Sequence, residues 1–348
     1  DGTKPFTRIM EALIEAMAGD TVKVMPGTYT ERVLMREGVY VIGSGAELTE
    51  IQWGHDGAVV VGDSVRSAGI LGFTIRWTGH RCDPTSLDNE IATSSKEGVG
   101  IIIQDSEMTV MNCRIVNATA DGIRVGGSSC ALVITCICER NCTGIGCYDA
   151  ADATLKHNTC RRNDTYGILC SGRSHCVVDK SRSEENGIGG IASDEESKVV
   201  ATGNCCRANL RHGIICGHRK GGTMIAQFNL CEANLWSGID SGGDHDVVLW
   251  KNTCRDNQWH GIVCSGSDKA VVLDNVCESN YWAGIACESY ESQGGLVEIR
   301  GNRCHGNKVG GIWVMPAVRT EPETDSVLLQ LNEIFKNGED AIIRDPKW

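Results

Sequence analysis

Asp240, Asp244, His245 and Asp246 crowd three carboxylates and an imidazole into a short stretch just after Trp236. Paired carboxylates can hydrolyse a glycosidic bond, one giving a proton while the other accepts one or attacks. Acidic residues also belong to solvated turns, and no single pair stands apart here. Trp236, Trp259 and Trp282 form a second group, recurring every 23 residues, with Tyr281 beside the last. One position further on in their own coils stand Tyr166, His212 and His260. Stacked aromatics at a turn suit sugar rings, peptide side chains or a protein partner, and the tryptophans are expected to be at least half exposed. The alternative is that they cover the turn or pack on a neighbouring loop.

The cysteines, 19 in all, are the third group. Most fall in two columns, Cys160, Cys206, Cys231, Cys254, Cys277 and Cys304 in one and Cys147, Cys170, Cys216, Cys264 and Cys287 in the other. Ile115, Ile137, Ile334, Val125 and Val314 take the same positions elsewhere, so Cys serves there as a small hydrophobe. Neighbours stacked about 4.8 Å apart with parallel Cβ vectors do not meet the convergent geometry of a disulfide. Free thiols are expected, which favours a reducing, intracellular compartment. Cys136, Cys138 and Cys142 are placed on outward or turn positions close together. Their spacing fits no zinc pattern, and no metal is expected.

What positions these groups is a repeat. The template N-x-C-x-x-N-x-x-x-G-I-x-C fits from Asn252 to Cys264 and again from Asn275 to Cys287. Its Gly-Ile pair begins at Gly122, Gly144, Gly167, Gly190, Gly213, Gly238, Gly261, Gly284 and Gly311, with Ala341-Ile342 as a worn copy. Five of the eight steps are 23 residues and the others are 22, 25 and 27. A unit of this length cannot bury its apolar face alone and must stack into a solenoid. Alternating inward positions, with a third apolar site at Leu155, Ala201, Ala226, Leu249, Val272, Ile299 and Leu329, make three short strands per repeat. Helical repeats usually need about 33 residues or more. The expected fold is all-β, a single-domain parallel β-helix of about 23 residues per coil, right-handed by the preference of parallel crossovers.

Two asparagine columns follow the turns, Asn158, Asn204, Asn229, Asn252, Asn275, Asn302 and Asn332, and Asn163, Asn186, Asn209, Asn234, Asn257, Asn280, Asn307 and Asn337. An Asn there bonds its own backbone and the copies above and below. Arg161, Glu184, Arg207, Glu232, Arg255, Glu278 and His305 alternate in charge after the column cysteines, which reads as a register-fixing ladder.

Residues 1–20 form a cap, with Phe6, Ile9, Met10, Leu13 and Met17 as a helical stripe over the first coil. Residues 21–99 read as irregular coils interrupted by a polar 77–98 loop, and long loops of this kind are more often functional or disordered than plain connections. Regular coils and a C-terminal cap occupy 100–348. No apolar run approaches the roughly 18 residues of a membrane span. A net charge of −12 argues against nucleic acid and, less strongly, against a polyanionic glycan bound without a bridging cation. The chain starts at Asp1, which reads as a processed chain or a piece of a larger one or of an assembly.

The Asn-x-(Cys/Ile)-x-x-Asn-x-x-x-Gly-Ile repeat, with Pro26-Gly27-Thr28-Tyr29 after an amphipathic helix, resembles the right-handed parallel β-helix superfamily of pectate-lyase type. Within it the repeat is most similar to the carbohydrate-binding and sugar-hydrolase group, which includes a periplasmic protein of copper-site maturation and the β-helix of certain F-box proteins. The resemblance implies fold rather than activity. Signatures of the superfamily's enzymes do not match: Asp83-Pro84 is followed by Thr85 where alginate epimerases have His, His212-Gly213-Ile214 is a repeat copy, and no calcium-binding aspartate set with an arginine base stands out. The leading expectation is therefore a non-catalytic recognition module or scaffold. It would bind a protein, a peptide or a glycan through Tyr166, His212, Trp236, His260, Trp259 and Trp282, with no cofactor. The alternative is a polysaccharide lyase, glycoside hydrolase or epimerase, drawing on Asp240, Asp244 and Asp246 and, for a lyase, on calcium.

Overall fold

The computed structural model describes residues 6–80, 97–217, 221–242, 245–265, 269–288, 296–314 and 327–344. Most of the 77–98 loop, Cys82, Asp83-Pro84-Thr85, His218-Arg219-Lys220, Asp244 and the 319–325 segment lie outside them. The fold is an all-β right-handed parallel β-helix. Each coil gives one short strand to each of three parallel sheets. The chain divides into two compact units, residues 1–167 and 168–348.

In the first unit a helix, Ile9–Glu15, buries Ile9 and Leu13. The buried Glu31 carboxylate accepts from the Ile9 and Met10 N–H groups at 2.9 and 3.0 Å, satisfying donors that a helix start leaves open. Phe6 and Met17, expected on the buried stripe, are exposed because the helix is short and ends before Met17. In the coils that follow, the first sheet holds Glu107–Met111 beside Cys130–Ile134 and Asp152–Lys156, every residue in register. The second sheet holds Arg114–Val116, Ile137–Glu139 and Thr159–Arg161, with Ile115, Cys138 and Cys160 as partners. Cys138 thus belongs to the inward column, and Ile137 faces partly outward. The 22-residue step between Gly122 and Gly144 displaces a count made in steps of 23. Cys136 and Cys142 are buried as well, so the trio is not an outward group.

The second unit repeats the plan. Cys206, Cys231, Cys254, Cys277 and Cys304 are successive in-register partners on the second sheet and all are buried. Burial, with the neighbouring thiols, pushes Cys231 and Cys277 well above the ordinary thiol range. On the third sheet Ile214, Ile239, Ile262, Ile285 and Ile312 stack inward. The glycine before each isoleucine is required by close approach. A Cβ on Gly213 would lie 2.5 Å from the Gly238 carbonyl oxygen, and one on Gly261 2.5 Å from that of Gly284. Both asparagine columns are buried except at their last members, Asn332 and Asn337, which are partly exposed, and the side chains bridge coils. Asn252 Oδ1 accepts from Asn229 N at 3.0 Å and from Asn229 Nδ2 at 2.9 Å, and Asn257 Oδ1 does the same for Asn234 at 3.1 and 2.9 Å. Buried backbone groups at the turns are thereby satisfied without water.

Candidate functional site

Side chains suited to chemistry collect on the outward side of the third sheet and on the turn that feeds it. In the second unit, the residue just before each Gly-Ile pair is His212, Ser237 and His260 in three successive coils. Ladder bonds from Gly213 N to the Ser237 carbonyl (3.1 Å) and from Gly238 N to the His260 carbonyl (3.0 Å) keep the three adjacent. One position earlier, Trp236 and Trp259 are 49% and 41% exposed, while Trp282 is partly exposed. The expectation of at least half exposure is approached by Trp236 and Trp259 and missed by Trp282, which packs between Trp259 and Trp313. The histidines do not share their stripe: His212 is 5% exposed and His260 fully buried. Their rings lie beneath the indoles, His212 edge-on to Trp236 at 5.2 Å and His260 edge-on to Trp259 at 5.5 Å.

His260 is closed in further by Trp282 and by Trp313, each 5.8 Å away. Its Nδ1 accepts from the Ala283 N–H at 3.1 Å. Trp259 and Trp282 lie 4.5 Å apart with planes inclined by 30°, and Trp282 and Trp313 are 6.2 Å apart. Three indoles from successive coils thus form one row. Trp313 was missing from the sequence-derived set because it sits on the strand, one residue past Gly311-Ile312, and not at the turn. Cations border the row: Arg211 lies 5.2 Å over Trp236, and the Lys308 ammonium 4.0 Å over Tyr281.

Asp240 sits on the outward side of strand Ile239–Gly242, its carboxylate mostly buried. Its Oδ2 is 3.4 Å from His212 Nε2, so imidazole and carboxylate form a pair across adjacent coils. Asp246 is not part of this group. It is exposed on the first sheet, in register with Thr223 and Lys269. Asp240 and Asp246 are six positions apart but sit on strands of different sheets, so closeness in sequence does not become closeness on one face. Tyr166 is half-buried at the start of strand Tyr166–Cys170.

The first unit has its own cluster on the corresponding positions, absent from the sequence reading. Asp121 precedes Gly122, Arg124 takes the outward position of the same strand, and Tyr148 follows Cys147 on the next coil. The Arg124 guanidinium bonds Asp121 Oδ2, and the Tyr148 hydroxyl donates to Asp121 Oδ1 at 2.9 Å. Arg124 also lies 5.1 Å over the Tyr148 ring. Burial pushes the Asp121 carboxyl up, against the pull of Arg124, and burial together with Asp121 pushes the Tyr148 phenol well up. Asp121 and Arg124 are both nearly inaccessible. The triad thus works as an internally satisfied polar network that fixes this face.

The chain belongs to the family described as a right handed beta helix region, whose pattern matches residues 75–230 and 226–327. By sequence, no curated protein matches it. Among solved structures it is similar to the periplasmic alginate epimerase AlgG, with a TM-score of 0.70 at 15% identity over 94% of this chain and 82% of that one. The A-module of the mannuronan C-5 epimerase AlgE6 of Azotobacter vinelandii gives a TM-score of 0.59 at 13% identity, covering 97% and 94%. The catalytic domain of a GH87 α-1,3-glucanase, in complex with nigerose, gives 0.60 at 14% identity, covering 96% and 64%. At these identities the likeness is one of fold.

Proposed function

We propose that this protein is a polysaccharide-active enzyme that takes its glycan along the outward side of the third sheet in residues 168–348. The observation that carries the reading is the His212–Asp240 pair lying one coil from a partly exposed row of tryptophans. Indole faces stack on the apolar faces of sugar rings and orient them, while a carboxylate and an imidazole in one pair can take up and return a proton. At 3.4 Å the pair is loose, as acid–base pairs often are before substrate tightens them. One such pair suits proton abstraction and return, the chemistry of a lyase or epimerase, more directly than hydrolysis by two carboxylates, because Asp246 faces away from Asp240. The enzymes of similar fold that act on alginate, mannuronan and α-1,3-glucan support a glycan as substrate.

The test is turnover on a panel of neutral and acidic polysaccharides, with and without calcium. Asp240→Asn is expected to lower kcat on the responsive glycan about 100-fold while leaving its binding in place. Wild-type activity retained by Asp240→Asn would end the reading. A second reading, a binding module without turnover, draws on the burial of both imidazoles. It would be favoured by saturable glycan binding, lost in Trp259→Ala, in the absence of any product.

A further inference from the structure

The first sheet of the second unit turns a different surface outward, unrelated to the glycan face. Val177, Val200, Ile225, Val248 and Val271 are in-register partners on five successive strands, and all point away from the core. Ile225 at their centre is 40% exposed. The strip spans four strand spacings, about 19 Å. A flat run of β-branched residues in water is a surface that gains by being covered.

Two residues before each of these, a parallel column reads His175, Lys198, Thr223, Asp246 and Lys269, also outward. This column decides the occupant. A twofold axis along the strand direction at Ile225 would bring a second copy face to face with the coil order reversed. It sets Ile225 on Ile225, Val200 on Val248 and Val177 on Val271. In the charged column it sets Lys198 opposite Asp246, twice by symmetry, and Thr223 opposite itself. On the other flank the bulky Trp250 falls opposite the small Thr202. Two pairs meet without complement, His175 with Lys269 and Asp179 with Leu273, and both lie at the outermost coils of the strip. Self-complementarity about a twofold is what an isologous interface requires, and face-to-face sheets pack at about 10 Å.

We propose that the protein forms a twofold dimer through this face, Val177, Val200, Ile225, Val248 and Val271 packing on their symmetry mates and Lys198 pairing with Asp246 of the second copy. The strip is small beside the roughly 800 Å² per partner of a standard interface, so the dimer is concentration-dependent. Sedimentation equilibrium from about 1 to 300 μM, spanning affinities suited to a small interface, reads it directly. Mass rising toward twice that of the chain is expected, and a monomer throughout overturns the proposal. Ile225→Lys, on an exposed position, should abolish association with the melting temperature retained. Lys198→Asp should weaken the dimer about tenfold or more by opposing like charges, and adding Asp246→Lys should restore it. If Ile225→Lys leaves the dimer intact, or the double variant is no tighter than Lys198→Asp alone, this face is not the interface. Glycan turnover plays no part in any of these readings.

Discussion

In residues 168–348 the second and third sheets turn contrasting sides outward. On the second, Glu232 sits between Arg255 at 2.7 Å and Arg207 at 3.6 Å, and Glu278 between His305 at 3.0 Å and Arg255 at 4.0 Å. Charge answers charge from Arg207 to His305, and these groups are bound to one another; in the last coil Phe335 stacks on His305 instead. On the third, the outward column runs Ile215, Asp240, Val263, Ala286, Trp313, with no alternation and no two consecutive residues alike. Regularity marks groups engaged in holding register, and its breakdown marks the place where side chains serve something other than the next coil. The same division holds in residues 1–167. There Glu139 is clasped by Arg114 and Arg161 on the second sheet, while Asp121, Arg124 and Tyr148 form a single unrepeated network on the third.

The largest effect that would sharpen this division lies in the ladders. Asn257→Ala removes the acceptor for Asn234 N and Nδ2 and leaves buried donors open. It should cost about 3 kcal/mol or more, seen in urea unfolding, and a change under about 1 kcal/mol would break the structural side of the contrast. Next comes Trp259→Ala. Truncating a central aromatic anchor should weaken glycan binding by about 2 kcal/mol, measured by calorimetry, with a smaller loss of stability from its contacts with Trp282 and His260. Loss of folding with no specific effect on binding would move the tryptophan row to the structural side.

The smallest effect is in acid. Burial would raise the Glu139 carboxyl, but hydrogen bonds and charge from Arg114 and Arg161 outweigh it and hold the group below the usual range. A depressed folded value means the contribution is complete above the unfolded carboxylate range, about pH 4.3. It is lost as pH falls through the folded value. Melting temperatures of wild type and Glu139→Gln should therefore differ at neutral pH and converge toward acid. A gap that stays constant with pH would remove the linkage.

The interior was legible in the sequence because a period of 23 repeats the same few constraints. Gly-Ile pairs, both asparagine columns and most column cysteines follow from spacing alone. Legibility failed where the step changed. Cys138 and Asn141 both fall within the 22-residue coil; Asn141 is a buried member of the second asparagine column, its Oδ1 accepting from Ala118 N at 2.9 Å. The site was less legible because its partners meet through register and not along the chain. His212 and Asp240 are 28 positions apart, and Asp121 and Tyr148 are 27. Reading the position before each Gly-Ile pair from Asp121 onward would have exposed the concentration of polar groups there. Nothing in the residue types distinguished buried histidines from exposed tryptophans one place away.

The asparagine columns also have a direction. Asn229 gives its N–H and Nδ2 to Asn252, Asn252 gives the same groups to Asn275, and Asn275 to Asn302. One Nδ2 hydrogen of each goes back to a carbonyl of the preceding coil, as from Asn252 to Ala226 at 2.8 Å. The N–H and the other Nδ2 hydrogen go toward the C-terminus, so a coil just formed carries two open donors until its successor supplies one oxygen to take both. An unmet N–H is tolerated less well than an underused oxygen. Growth in the order of synthesis relieves the harder deficit at every step, and the growing end is always the one that recruits. At Ser181 the column changes residue type without changing direction: its N–H donates to Asn204 Oδ1 at 2.8 Å, as the N–H of an Asn in that place would.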